Sequence, residues 1–207
     1  MALLTHLDIV NAACARIGAD APQDWTTDTG DTGPISLIYE ETVDFNLGVY
    51  LFSFARQLFQ LSVDDTLVNP ASGYRHVFDL PPERQGQPLY ITDNVRNPDA
   101  RFSRYVLIDG RVHADANPLW AMCRYRPDPH AWDPAFKAAT ITALASRFAL
   151  SLASDRSTSE QLAVQAWGTP SENFRGGELG AAIRADAFST PPRLADFENN
   201  PLSNARR

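Results

Sequence analysis

The chain has 207 residues (22.9 kDa), 44% hydrophobic and 21% charged, enough apolar side chain for a core, which excludes disorder throughout. The net charge is −7 and the pI about 5.0, which argues against a protein that grips the outside of DNA through a basic face. Two cysteines exclude a disulfide framework and are compatible with a reducing cytoplasm.

Thr5-His6-Leu7-Asp8 opens a helix, with Thr5 as cap and Asp8 closing a capping box. Leu7, Val10, Cys14 and Ile17 follow at helical spacing, and Gly18 suits the position just past the end. Cys14 reads as a small core residue. Residues 20–33 form a solvated loop of Asp, Thr and Gly. Asp24, Asp28 and Asp31 lack the alternate spacing and closing Glu of a calcium loop. Pro34 suits the first turn of a second helix, ending near Leu51. Its apolar stripe is Ile35, Ile38, Tyr39, Val43, Leu47 and Tyr50, with Glu40, Glu41 and Asp44 on the solvent side.

Period-two alternation takes over at Phe54 and lasts to Pro127. Short strands are expected at 58–63, 74–80, 89–92, 105–108, 111–114 and 119–126. Asp109-Gly110 between two of them signals a tight hairpin, because its turn needs positive φ at both central residues. Asp133-Pro134 restarts helix as cap and first residue. Ile141, Leu144, Ala145, Phe148 and Leu152 give the next stripe, with alanines that permit close helix contact. Ser157 and Glu160 have capping-box spacing for a following helix. Thr169-Pro170-Ser171-Glu172 repeats that spacing, so the chain kinks or restarts there, and 181–187 continues as helix.

Residues 189–207 are rich in Pro and polar residues, without periodicity. They are a loose terminus or a segment that orders on a partner, with Leu194, Phe197 and Leu202 as spaced anchors. The resulting class is α+β: a bundle of about four helices with an inserted antiparallel β region and an extended C-terminal tail. The units are 1–53 and 128–188 for the bundle, 54–127 for the insertion and 189–207 for the tail.

No membrane helix is expected. The most apolar stretch, 138–153, is interrupted by Arg147, Ser and Thr. The first residues have no basic region, and Asp8 and Asn11 interrupt an apolar one, so no signal peptide is expected. Phosphate loops, nucleophile elbows, zinc helices and paired-cysteine motifs are absent from the sequence. His6, His76, His113 and His130 fall in four different elements. His113 with Asp115 supplies two potential metal ligands, which do not make a site. His130 with Asp133 is an imaginable dyad lacking a nucleophile. No catalytic residue, metal or cofactor is assigned. A small hydrolase with a dispersed His/Asp site and a monomeric protein-binding module stand as alternatives to an assembly protein.

Four segments resemble the head-to-tail adaptor family of short-tailed phages, the tail tubular protein A group. Leu7-Asp-Ile-Val-Asn-Ala-Ala-Cys-Ala-Arg-Ile-Gly18 is similar to its first helix. Tyr50-Leu-Phe-Ser-Phe-Ala-Arg56 resembles a Pro-Trp-x-Phe-Ala-Arg segment, with Leu51-Phe52 in place of Pro-Trp. Tyr74-x-x-x-Phe-Asp-Leu-Pro81 resembles a Tyr-x-Tyr-x-Leu-Pro strand. Tyr125-x-x-x-Pro129 followed by Trp132-Asp-Pro-x-Phe136 resembles the lead into the third helix.

The resemblance implies a homo-oligomeric ring, typically of twelve copies, in the neck of a virion. Such a ring is made in the host cytoplasm, sits beneath the portal protein, joins it to a downstream tail or nozzle protein and surrounds the DNA ejection channel. It implies a C-terminal segment that docks into the portal. Arg193, Leu194, Phe197, Leu202, Arg206 and Arg207 are then the docking candidates. The charge distribution fits DNA that passes without specific binding. Residues 1–66 hold ten acids and two arginines; residues 67–207 hold fifteen acids and sixteen bases. An acidic wall repels phosphate where basic contacts would brake it. Asp24, Asp28, Asp31, Glu40, Glu41 and Asp44 are the lumen-facing candidates.

Overall fold

The computed structural model describes residues 5–20, 22, 33–66, 72–96 and 101–189. Thr5 and Asp8 form the expected capping box, which starts α1 (His6–Ile17), and Gly18 closes it with φ 68°. Ile9, Val10, Ala13 and Cys14 are the buried face of α1, while Leu7 and Ile17 flank it half-buried. α2 spans Gly33–Val49 and buries Ile35, Tyr39, Val43 and Leu47. A 3-10 turn at Ser53–Ala55 then leads into the strands.

The run at 58–63 is not one strand. It forms β1 (Arg56–Gln60) and β2 (Ser62–Val63) in two different sheets. Leu61 between them is buried and donates its N–H to the Leu119 carbonyl at 2.9 Å. Alternation marks a half-buried chain but is blind to which sheet it pairs with. β3 (His76–Asp79), β4 (Tyr90–Thr92), β5 (Tyr105–Ile108), β6 (Arg111–Ala114) and β7 (Trp120–Arg124) follow. One sheet has the order β1-β7-β4 and the other β2-β3-β6-β5, with every pairing antiparallel. Asp109 and Gly110 take φ of 51° and 73° and close the β5–β6 hairpin as expected. The inward residues of both sheets share one small core of Phe78, Ile91, Val112, Ala114, Ala121 and Cys123 with Leu61, Leu80 and Leu119.

Asp133 caps α3 (Pro134–Ser151), accepting from the Ala135 N–H at 2.8 Å. α3 is the hub of the helical part and touches α1, α2, α4 (Arg156–Trp167) and α5 (Gly177–Ser189). Burial on so many sides explains its alanines, which let several helices approach one axis. Leu144, Ala145 and Phe148 of the expected stripe are buried; Leu152 lies past the helix and is exposed. The capping box at Ser157–Glu160 does not form. Asp155 is the cap, accepting from Thr158 N–H at 3.0 Å, and Glu160 pairs with Arg156 instead. An Asp two residues upstream supplies a ready carboxylate, so the helix starts earlier.

Thr169 and Glu172 do join, Thr169 N–H to Glu172 Oε2 at 2.7 Å, but around a 3-10 turn at Pro170–Glu172. Pro170 therefore separates two helices, and the described residues contain five α-helices rather than about four. Helix continues to Ser189; the tail expected from there lies outside the described residues.

The helical core draws on both ends of the chain. Ile9, Val10, Tyr39 and Leu47 meet Phe136, Leu144, Phe148, Trp167 and Leu179. The chain leaves it through Phe52 and Phe54 and returns through Trp132 and Phe136. These four rings interlock, Phe136 lying 4.8 Å from Phe52, 5.2 Å from Phe54 and 5.2 Å from Trp132 between centroids. Trp132 Nε1 donates to the Pro127 carbonyl at 2.8 Å, and Tyr125 N–H to the Ala55 carbonyl at 3.1 Å, so exit and return are bonded to each other.

Candidate functional site

α2 carries Glu40, Glu41 and Asp44 on its outer side, as helical spacing requires. Arg126, just beyond β7, pairs with Glu40 and reaches Asp44 at 3.3 Å. Gln85 donates to Asp44 at 2.7 Å. Arg147 of α3 pairs with Glu41 at 2.9 Å. Each acidic side chain remains more than half exposed, so these pairs stabilise little individually and hold α2 in register with its neighbours. Both arginines also lie over rings, Arg126 at 5.4 Å from Tyr39 and Arg147 at 5.7 Å from Trp167. Burial pushes the Tyr39 phenol up to about 12, against the opposing pull of Arg126. Two arginines thus offset most of the trio's charge. Asp24, Asp28 and Asp31 lie outside the described residues, so of the six acids the structure places only Glu40, Glu41 and Asp44. All six docking candidates, Arg193, Leu194, Phe197, Leu202, Arg206 and Arg207, also lie outside them.

Among the described residues, neither candidate His–Asp pair shares a hydrogen bond. Asp133 is engaged as the cap of α3, and His130 is exposed on the 3-10 turn at Pro129–Ala131. The imagined dyad therefore has no shared bond. His113 Nδ1 bonds Ser72 Oγ at 2.8 Å, whereas Asp115 accepts the Arg75 N–H at 2.9 Å; both tie the 72–75 loop over the sheet. Among the described residues, no three His, Cys, Asp or Glu side chains are grouped to hold a metal ion, and no helix is long and apolar enough to cross a membrane. Cys14 and Cys123 are free and buried, and burial raises both thiols, which disfavours the nucleophilic thiolate. A depression is lined by Phe102, Arg104, Asp115 and Ala116, and its one carboxylate, Asp115, is engaged by the Arg75 N–H.

Three polar arrangements escaped sequence reasoning. Asn46 takes Trp167 Nε1–H at 2.8 Å and donates to Thr140 Oγ1 at 3.2 Å, a buried knot joining α2, α3 and α4. Asp186 of α5 accepts the Ser53 N–H at 2.9 Å and so pins α5 to the exit of the helical core. Arg56 and Arg124 stand opposite each other on β1 and β7. All three join residues more than sixty positions apart, and only register or packing reveals them.

No family model matches the chain, and no curated protein matches it.

Proposed function

We propose that this chain is a structural head-to-tail adaptor: one subunit of a ring, typically of twelve copies, beneath the portal of a phage or phage-like particle. Its partners are the portal protein, a downstream tail or nozzle protein and further copies of itself. DNA passes through the ring without specific binding, and the particle's neck is its location. The observation that carries the reading is the junction. Two of the four segments with the family resemblance, 50–56 and 125–136, meet there as the interlocked rings of Phe52, Phe54, Trp132 and Phe136. The other two fall on regular elements, 7–18 on α1 and 74–81 around β3. Phe54 and Phe136 are matched residues and touch at 5.2 Å between centroids, while Phe52 fills the place where the family segment has Trp.

Asp133 is engaged as the cap of α3 and both cysteines are buried, so neither lends support to the hydrolase alternative. In this reading the C-terminal segment supplies portal contacts through Leu194, Phe197 and Leu202. Exposed Glu40, Glu41 and Asp44 contribute to the lumen wall, their charge partly offset by Arg126 and Arg147. Electron microscopy of the native particle tests the proposal directly: a symmetric ring of this chain at the neck is expected. A particle in which the chain forms no ring overturns it. Removing residues 190–207 is expected to leave the fold intact and abolish incorporation.

A further inference from the structure

Arg56 and Arg124 are directly opposed across β1 and β7. The flanking cross-strand bonds, Tyr125 N–H to Ala55 O and Leu61 N–H to Leu119 O, fall on the odd positions of this stretch. Arg56 therefore sits at a pair without hydrogen bonds, where opposed side chains stand closest. Ala121 and Cys123 face the shared β core, so Arg124, Met122 and Trp120 take the outer face. Arg56 and Leu58 stand beside them in register. Like charges in this position repel. Among the described residues neither arginine has a carboxylate partner, whereas Arg147 and Arg156 each have one and Arg111 and Arg126 each have two. The Nε–H of Arg124 is buried and meets no acceptor. Both arginines are half-buried, and a buried N–H without an acceptor beside a like charge is unfavourable, so the pair has room for an acceptor.

We infer that this pair is a carboxylate-binding site for the chain's own C-terminal segment, taking up Asp196 and Glu198. Chain geometry supplies the occupant. α5 ends at Ser189, and Asp186 in its last turn is bonded to Ser53, three residues before Arg56. Asp196 is seven residues past Ser189, a reach of up to about 25 Å, while Ser53 to Arg56 spans at most about 11 Å. Leu194-Ala-Asp-Phe-Glu198 sets two carboxylates beside two apolar side chains. The outer face sets two guanidinium forks beside Leu58 and Met122, and such forks bind carboxylates bidentately. The site does not depend on the adaptor reading. Any partner that takes up this segment must first draw it off the arginines, which makes the contact a latch.

Trypsin cleavage after Arg193 in the full-length chain reads the latch. Arg56→Ser with Arg124→Ser is expected to speed that cut roughly tenfold, the scale of one charge-assisted contact. Asp196→Asn with Glu198→Gln is expected to do the same, and all four changes together to add nothing more, because they break one interaction. The acidic variant changes only residues beyond α5, so it decides the matter even where the arginine variant fails to fold. Wild-type cutting rates in the acidic variant, or in a folded arginine variant, overturn the proposal. Protection that grows with protein concentration also overturns it, since the occupant is then a second copy.

Discussion

Phe136 and Ile91 are both fully buried, yet they occupy different kinds of core. Phe136 touches the rings of Phe52, Phe54 and Trp132, which reach it from before and after the strands. Among the described residues, Ile91 sits in a core of nine buried side chains, two of them alanine, all drawn from residues 61–123. The helical region is held by contacts between the two ends of the chain, with large rings and a buried polar knot. The β region is held by strand pairing around a thin core. Damage in the first should therefore be felt by the whole chain, and damage in the second should remain smaller and more local.

Phe136→Ala tests the larger side of that contrast. It is expected to destabilise by about 3–5 kcal/mol in urea unfolding, the range for a buried aromatic truncation. Unfolding of the two regions should coincide, since exit and return are hydrogen-bonded together. A β region that keeps hydrogen-exchange protection after the helices unfold would break the comparison. Asn46→Leu comes next, at about 1–3 kcal/mol, because it strands the Trp167 N–H inside the core. Gly110→Ala forces a side chain onto φ 73° at the hairpin and should cost about 1–2 kcal/mol. Its exchange signature should be confined to β5 and β6. Asp133→Ala removes the cap of α3 for about 1 kcal/mol, and Asp133→Ser should restore most of it in the same unfolding assay.

The smallest effect is one of pH. Hydrogen bonds from Thr158, side chain first, hold the Asp155 carboxyl below the ordinary carboxylate range. A group depressed in the folded state stabilises above its unfolded value, near pH 4, and loses that contribution as pH falls through the folded value. Asp155→Asn keeps an acceptor without the charge. Its stability difference from wild type, followed by urea midpoint, should be present at neutral pH and vanish in strong acid.

The α2 acids show how far a sequence can be read. Their place on the solvent side followed from helical spacing alone. Their partners did not, because Arg126 and Arg147 lie more than eighty residues away. The same limit applied to capping: Thr5–Asp8 was legible because both residues are local, while Ser157–Glu160 lost to a competing local cap, Asp155.

Sequence by itself determined the α+β class, the positions of the hairpin turn and most helix starts, and the burial of Cys14. These depend on periodicity, cap chemistry and positive φ, which act within a few residues. Tertiary structure alone decided the split of one alternating run between two sheets, the hub position of α3, the ring cluster at the junction and the confrontation of Arg56 with Arg124. Each of these depends on strand register or helix packing, where residues distant in the chain select one another by fit and charge.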